Sequence, residues 1–482
     1  MKKVTFIVPP CYDHRQPAER SAGCTRIVYQ APNIYELTAI ACVRELPGVE
    51  VAYRDCVARN IDVKGYKDIL CTDNSDIYVI WSVNLAMESD LLALEDLRYF
   101  QPDVPVIFIG PGPTYYTSRY LKDANVYIVR GEPELTLNEL VLALINKQPI
   151  EGIKGITYLG PDGNAVSTPP RQLNKNLDEL PFPARDLVAD IDYHNPKLKT
   201  GPYTTMFTSR NCPFHCIYCV PSSLSFAREI EYRRNNNNSK PTIGFRSVES
   251  IEKEVALLHS MGYRAIGFMD DNFIWNEERT AAIASILKKY DMVWGCEARV
   301  DAITEPIARI LADSNCRYVD LGVESFNDEI LAYIKKGITV ADIHNAINLL
   351  AKYKVPVKLN ILIGSSPLET KKTVKETLKQ AKKLPVDQVM FNIVSPFPGT
   401  EYYEICKKNG WIEGNEYRPT DVQRQSILRL PNLSARQMEK LLFLNNIKFF
   451  LTFKFVRRQL LRFKSWNEFY HAAKALRIKL FG

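Results

Sequence analysis

Short apolar runs that alternate with helix-period segments, from residue 4 to residue 395, constrain this 482-residue chain more than any other feature. Parallel strands need a crossover between them, usually a helix, so regular alternation predicts parallel sheets rather than hairpins. In a first block the runs are 4–10, 49–57, 77–83, 104–110 and 126–130, with helical segments that include 33–46 and 135–146. These predict an α/β, doubly wound sheet whose ligand site lies beyond the strand carboxyl ends. In a second block the runs are 203–208, 265–271, 293–299, 318–325, 357–364 and 388–395. Between them the 247–260 segment places Val248, Ile251, Val255 and Leu258 on one face, with Ser247 as N-cap. Six strand-helix units predict a parallel (β/α) barrel or partial TIM barrel with its chemistry at the carboxyl ends of the strands.

The chain divides accordingly into 1–146, a linker 147–200 with a hairpin across Gly160-Pro161-Asp162-Gly163, the barrel 201–410, and a helical C-terminal region 411–482. A hydrophobic content of 46% supplies the cores. Residues 220–245, with the run Asn235 to Asn238, read as an exposed irregular insertion. Eleven cysteines scattered through a long chain do not form a disulfide framework. The apolar run behind Lys2 and Lys3 is short, ends in Pro9-Pro10 and reads as a strand rather than a signal peptide. A reducing cytoplasm is the expected compartment.

Three of the cysteines are spaced for chemistry. Cys212, Cys216 and Cys219 follow the first barrel run as CxxxCxxC, which can place three thiolates on one iron-sulfur cube and leave one iron open to a chelating ligand. A zinc knuckle normally takes four ligands, often in two pairs, and no second pair stands nearby; His215 is poorly placed to supply the fourth. Polar residues close the barrel runs: Asp270, Asp271 and Asn272, then Glu297 and Arg299, then Glu324 and Ser325, then Gly364. An arginine there can fork onto a carboxylate and a glutamate can accept from hydroxyls.

This set, with Tyr218 directly before the last cysteine, resembles the radical S-adenosylmethionine (SAM) enzymes. The resemblance implies a 4Fe-4S cluster on Cys212, Cys216 and Cys219, and SAM chelated to the open iron. It implies cofactor contacts at Tyr218, Asp271 and Gly364, Arg299 on the methionyl carboxylate, and Glu324 with Ser325 on the ribose.

Three exits of the first sheet are unusual: Ser82-Val83-Asn84, Gly110-Pro111-Gly112-Pro113-Thr114 and Gly131-Glu132-Pro133-Glu134. Glycines permit close backbone approach of a bulky ligand, although a Gly-Pro-Gly sequence is also an ordinary tight turn. With the domain order and the linker Leu177-Asp178-Glu179-Leu180-Pro181-Phe182-Pro183-Ala184-Arg185, they resemble the cobalamin-binding domain of cobalamin-dependent radical SAM enzymes, over about residues 1 to 410. The resemblance implies cobalamin contacts at Ser82, Asn84, Gly110, Gly112, Thr114, Gly131 and Glu132. The DxHxxG motif that supplies a histidine to cobalt in some corrinoid proteins is absent, since Asp13-His14-Arg15 lacks its spacing. Cobalamin without a protein histidine on cobalt is therefore expected.

From Lys448 onward basic residues outnumber acids, interleaved with Phe449, Phe450, Phe453, Phe455, Phe463, Trp466 and Phe469. Such a stretch suits either an anionic membrane surface, peripheral to the inner face, or a helical cap packed on the barrel. A net charge of +7 and the lack of an RNA-binding motif argue against nucleic acid.

The resemblance implies a radical enzyme that functionalises an unactivated carbon, foremost by C-methylation. Its partners would be a small-molecule substrate, with lipids and natural-product intermediates in view, and a reductase such as flavodoxin or ferredoxin. A cyclase or oxidoreductase without net methyl transfer, resembling the anaerobic porphyrin cyclase, is the first alternative. A methylthiotransferase-like enzyme or a non-enzymatic corrinoid or cluster protein is the second, although Cys11, Cys24, Cys42, Cys56 and Cys71 do not reproduce a further cluster motif.

Overall fold

The computed structural model describes residues 1–13, 16–414, 417–418, 420–452 and 470. Contacts divide the chain into two compact units. The first comprises Met1–Ile27, Pro32–Asp192 and Pro221–Phe245; the second comprises Val28–Ala31, Tyr193–Val220 and the chain from Arg246 onward.

In the first unit five parallel strands, Lys2–Val8, Val49–Asp55, Ile77–Trp81, Val106–Ile109 and Val126–Val129, lie in the order second, first, third, fourth, fifth. That order reverses direction at the first strand, so right-handed crossovers place helices on both faces, as a doubly wound sheet requires. The strands Ile77–Trp81, Val106–Ile109 and Val126–Val129 are apolar throughout because both faces are covered, and Ile77–Trp81 is buried at every position. Two antiparallel strands, Ile156–Leu159 and Ala165–Ser167, complete the edge. Their hairpin turns where expected: Gly163 N–H donates to Gly160 O at 2.9 Å and Gly160 N–H to Asn164 O at 2.8 Å.

Residues 221–245 correct the sequence reading. They contain the Ser223–Asn235 helix, whose residues from Ser223 to Glu231 are buried, instead of an exposed insertion. The helix has no apolar stripe to betray it. It is held by buried ion pairs of Arg228 with Glu132 and of Glu231 with Arg130.

The second unit is a six-stranded parallel sheet whose spatial order follows the chain: Tyr203–Met206, Ala265–Phe268, Val293–Arg299, Cys316–Glu324, Val357–Ile363 and Gln388–Ile393. Right-handed crossovers that always step the same way put the helices on one face, which gives the curved, partial-barrel form. The helix-facing positions Val319, Leu321, Val323, Leu359, Ile361, Val389 and Phe391 join one hydrophobic core. Ser247 caps the Val248–Ser260 helix by accepting from Ser250 N–H at 3.0 Å, a contact worth about 1 kcal/mol.

The helix Ala435–Phe450 packs on the last strand and the Lys371–Lys383 helix, with Phe449 in the core. The remaining tail aromatics Phe453, Phe455, Phe463, Trp466 and Phe469 lie outside the described residues. Among the described residues no helix is long and apolar enough to cross a membrane.

Candidate functional site

The cysteine loop leaves the first barrel strand and is fixed at both ends. At its start the buried Asp270 accepts from Thr208 N–H at 3.0 Å, Thr208 Oγ1 at 2.8 Å and Ser209 Oγ at 2.5 Å. Burial pushes the Asp270 carboxyl up to about 6 while these bonds pull it back. Asp271 accepts from Asn211 N–H at 3.0 Å, holding Asn211 in a left-handed conformation with φ 70°. Further on, Ile217 N–H donates to Ile334 O at 3.2 Å, and Tyr402 N–H donates to Ile217 O at 2.9 Å. Cys212 and Cys216 lie between these anchors and Cys219 just past the second; none is in a disulfide and all are partly exposed. A cube takes its cysteines on separate irons, and partly exposed thiols on a pinned loop fit that demand.

Two cations face the thiols. Burial opposes the charge on Arg299, yet Asp301 and then Cys216 and Cys212 hold its pKa above the usual arginine value. Lys336 shows the same pattern: burial opposes its charge, and Glu324 with Cys216 favours it.

Arg299 is not free to fork onto a ligand carboxylate. Its Nε and Nη2 each donate to Asp301 at 2.9 Å, Nη2 also donates to Lys336 O at 2.9 Å, and its plane lies 3.6 Å over Phe214 of the cysteine loop. The rim salt bridge therefore occupies the fork that was expected on the methionyl carboxylate.

Glu324 ends its strand at φ 65° and accepts from Lys336 Nζ at 2.7 Å. Burial, then the Glu324 carboxylate and the nearby Cys216 and Cys219, push the Tyr218 phenol far above the ordinary range. Gly322 makes room for the pair, since a Cβ would fall 2.7 Å from Lys336 Nζ and 2.8 Å from Glu324 Oε1 and would displace these side-chain ends. Ser325 follows, buried, with its N–H donating to Val323 O at 2.8 Å. The structure thus brings Tyr218, Glu324 and the cysteine loop together and adds Lys336. The sequence offers nothing to separate Lys336 from Lys335.

Gly364 takes φ 82°, and a Cβ there would meet Met438 Sδ at 2.5 Å. Its role in this structure is close packing. The segment Gly364 to Ser366 is organised by Glu369, unremarked in the sequence, which accepts from all three N–H groups at 2.9, 2.7 and 3.2 Å and from Ser365 Oγ at 2.6 Å.

In the first unit most of the expected cobalamin contacts are committed to the protein itself. Ser82 Oγ donates to Asp90 at 2.5 Å and lies 2.8 Å from Tyr120 Oη. Asp90 in turn receives Arg20 through two bonds at 3.0 and 2.7 Å. Gly110 at φ 102° has Ser82 O where its Cβ would be, and Gly112 has Tyr120 Oη at 2.5 Å. Thr114 Oγ1 donates to Gly110 O at 2.7 Å and accepts from Gly131 N–H at 3.2 Å. Gly131, at φ 72°, faces Glu231, and Glu132 accepts from Asn174 N–H at 2.7 Å besides pairing with Arg228. Asn84 differs: it is 2% exposed, and neither its Oδ1 nor its Nδ2 has a partner. An orphaned buried amide fits a ligand with amide side arms. Asn84 is thus the residue that supports a corrinoid here.

The radical SAM superfamily model matches residues 206–381, from the first barrel strand through the Lys371–Lys383 helix. An uncharacterized methyltransferase of Pyrococcus horikoshii is 30% identical over 455 residues, covering 93% of this chain and 92% of its own. The chain therefore belongs to the radical SAM superfamily. An anaerobic magnesium-protoporphyrin IX monomethyl ester cyclase of Rubrivivax gelatinosus is 23% identical over 364 residues, covering 74% of this chain and 62% of the cyclase. The cobalamin-dependent SAM radical enzyme OxsB shares the fold at a TM-score of 0.70 with 15% identity, over 99% of this chain and 72% of OxsB. The radical SAM methyltransferase TsrM from Kitasatospora setae shares it at 0.62 with 16% identity, over 86% of this chain and 77% of TsrM. Within the superfamily its fold is shared with these two enzymes.

Proposed function

We propose that this protein is a cobalamin-dependent radical SAM methyltransferase acting on an unactivated carbon. The observation that carries the reading is the pinned loop presenting Cys212, Cys216 and Cys219 beside Arg299 and Lys336, with the methyltransferase relative along nearly its whole length in support. When bound and reduced, the cluster supplies the electron that cleaves SAM to methionine and a 5′-deoxyadenosyl radical, and a corrinoid supplies a methyl carrier.

The chain's own residues orient and shield. Cys212, Cys216 and Cys219 would hold three irons. Glu324, fixed by Lys336, would accept from the ribose hydroxyls. Arg299 keeps its Nη1 donor for the methionyl carboxylate while its other nitrogens brace Asp301 and Lys336 O. Asn84 would bond the amide arms of the corrinoid.

The test is anaerobic incubation of the reconstituted protein with SAM, cobalamin and a reductant, followed by assay of 5′-deoxyadenosine and S-adenosylhomocysteine. Both should form, and Cys216→Ala should form no 5′-deoxyadenosine. 5′-Deoxyadenosine without S-adenosylhomocysteine, in the presence of accepted substrate, would favour the cyclase chemistry instead.

A further inference from the structure

Barrels of this kind usually fill their interior with branched apolar side chains. In this sheet the face away from the helices is built differently. Its floor is aromatic: a Cβ on Gly267 would fall 2.7 Å from Tyr203 Oη, and one on Gly295 would fall 2.2 Å from the Tyr318 ring, so two tyrosines lie over two glycines. Above the floor the row is charged. Asp320 pairs in register with Glu297 on one side and with Lys358 on the other. Side chains alternate along a strand, and the flanking Val319 and Leu321 belong to the helix-side core, so this row faces the interior.

The donors and acceptors of the row do not balance. Lys197 and Lys358 both donate to the same atom, Asp320 Oδ2, at 2.7 and 2.6 Å, and Lys197 also lies 3.8 Å over the Tyr318 ring. Asp320 is 2% exposed, yet its Oδ1 receives nothing. Glu297, on the neighbouring strand, is exposed within the interior, and its carboxylate has no hydrogen bond or ion pair among the described residues. Higher on the same face Asn392 Oδ1 is buried without a donor. An unfilled buried acceptor costs about 1–3 kcal/mol, so such atoms mark places where a ligand or water completes the bond. The lysines are already engaged, and the unmet demand is for donors.

We propose that the interior of this sheet receives a cationic, hydrogen-bond-donating group of the substrate, an ammonium or guanidinium, between Glu297 and Asp320 Oδ1. Glu297 is the counter-ion. Lys197 and Lys358 are positioning residues that hold Asp320 ionised and turned toward the ligand. The substrate assignment rests on the radical SAM reading, whereas the binding of a cation does not.

The test uses agmatine, which carries both kinds of cation, and glutarate, an anion of similar length, titrated calorimetrically into the anaerobically reconstituted protein. Agmatine should bind saturably and glutarate should not. Glu297→Gln should weaken agmatine at least about tenfold, while Glu297→Asp retains it. Unchanged agmatine affinity in Glu297→Gln overturns the proposal, as does binding of glutarate in place of agmatine, which would give the interior to anions through Lys197 and Lys358. SAM affinity is measured on the same samples, and its loss in Glu297→Gln would assign that residue to the cofactor and overturn the proposal. Iron content separates the two readings: a protein that binds agmatine but holds no cluster keeps this site and loses the enzyme assignment.

Discussion

Lys336 Nζ lies 2.7 Å from Glu324 Oε1, and the two side chains are 8% and 7% exposed. A pair this buried is costly to break from one side. Lys336→Met leaves a carboxylate without its counter-ion beside the cysteine loop and should destabilise the protein by about 3–5 kcal/mol. A Lys336→Met/Glu324→Gln double variant should recover part of that. Denaturant unfolding of the three proteins checks it; a loss under about 1 kcal/mol in the single variant contradicts a buried ion pair.

Asp270 should make stability depend on pH in an unusual direction. Burial pushes its folded-state carboxyl up to about 6 from the ordinary 3.8, so between these limits the native state binds more protons than the unfolded one. The contribution is complete below the unfolded value and is lost as pH rises through the folded one. Asp270→Asn should remove this fall between pH 4 and 6, roughly 3 kcal/mol in total. Melting temperature against pH for both proteins reads the slope, and identical slopes refute the assignment.

Gly295 lies under Tyr318, with no room for a methyl group. Gly295→Ala should cost at least about 1–3 kcal/mol through overpacking. Calorimetric melting measures it, and a neutral substitution would mean that the tyrosine does not rest on the strand.

Glu369 gathers three backbone N–H groups and a hydroxyl at the exit of the fifth barrel strand. Removing it in Glu369→Ala should cost about 1–3 kcal/mol and accelerate hydrogen exchange at Gly364, Ser365 and Ser366. Unchanged exchange at these amides would show that the clamp does not hold the turn.

Periodicity made the strands legible to within a few residues, because buried parallel strands must be apolar and crossovers must be helical. The cysteine loop was legible because cluster ligands are local in sequence. Contacts between distant residues were not. Ser82 and Gly112 resemble ligand contacts until Tyr120 and Asp90 are seen to occupy them. The Ser223–Asn235 helix escaped notice because its buried apolar residues Leu224, Phe226, Ala227 and Ile230 are interleaved with charges that find their partners only in the fold. Lys336 is indistinguishable from Lys335 until the turn at Gly337, φ 69°, directs it inward to Glu324.

The most direct measurement is iron, sulfide and corrinoid per chain after anaerobic reconstitution, for the native protein and for Cys212→Ala, Cys216→Ala and Cys219→Ala. One cluster's complement of iron with one corrinoid is the predicted result, with iron lost and corrinoid kept in each cysteine variant. Iron retained in the variants would contradict the account, because the pinned loop would then not be the cluster's seat.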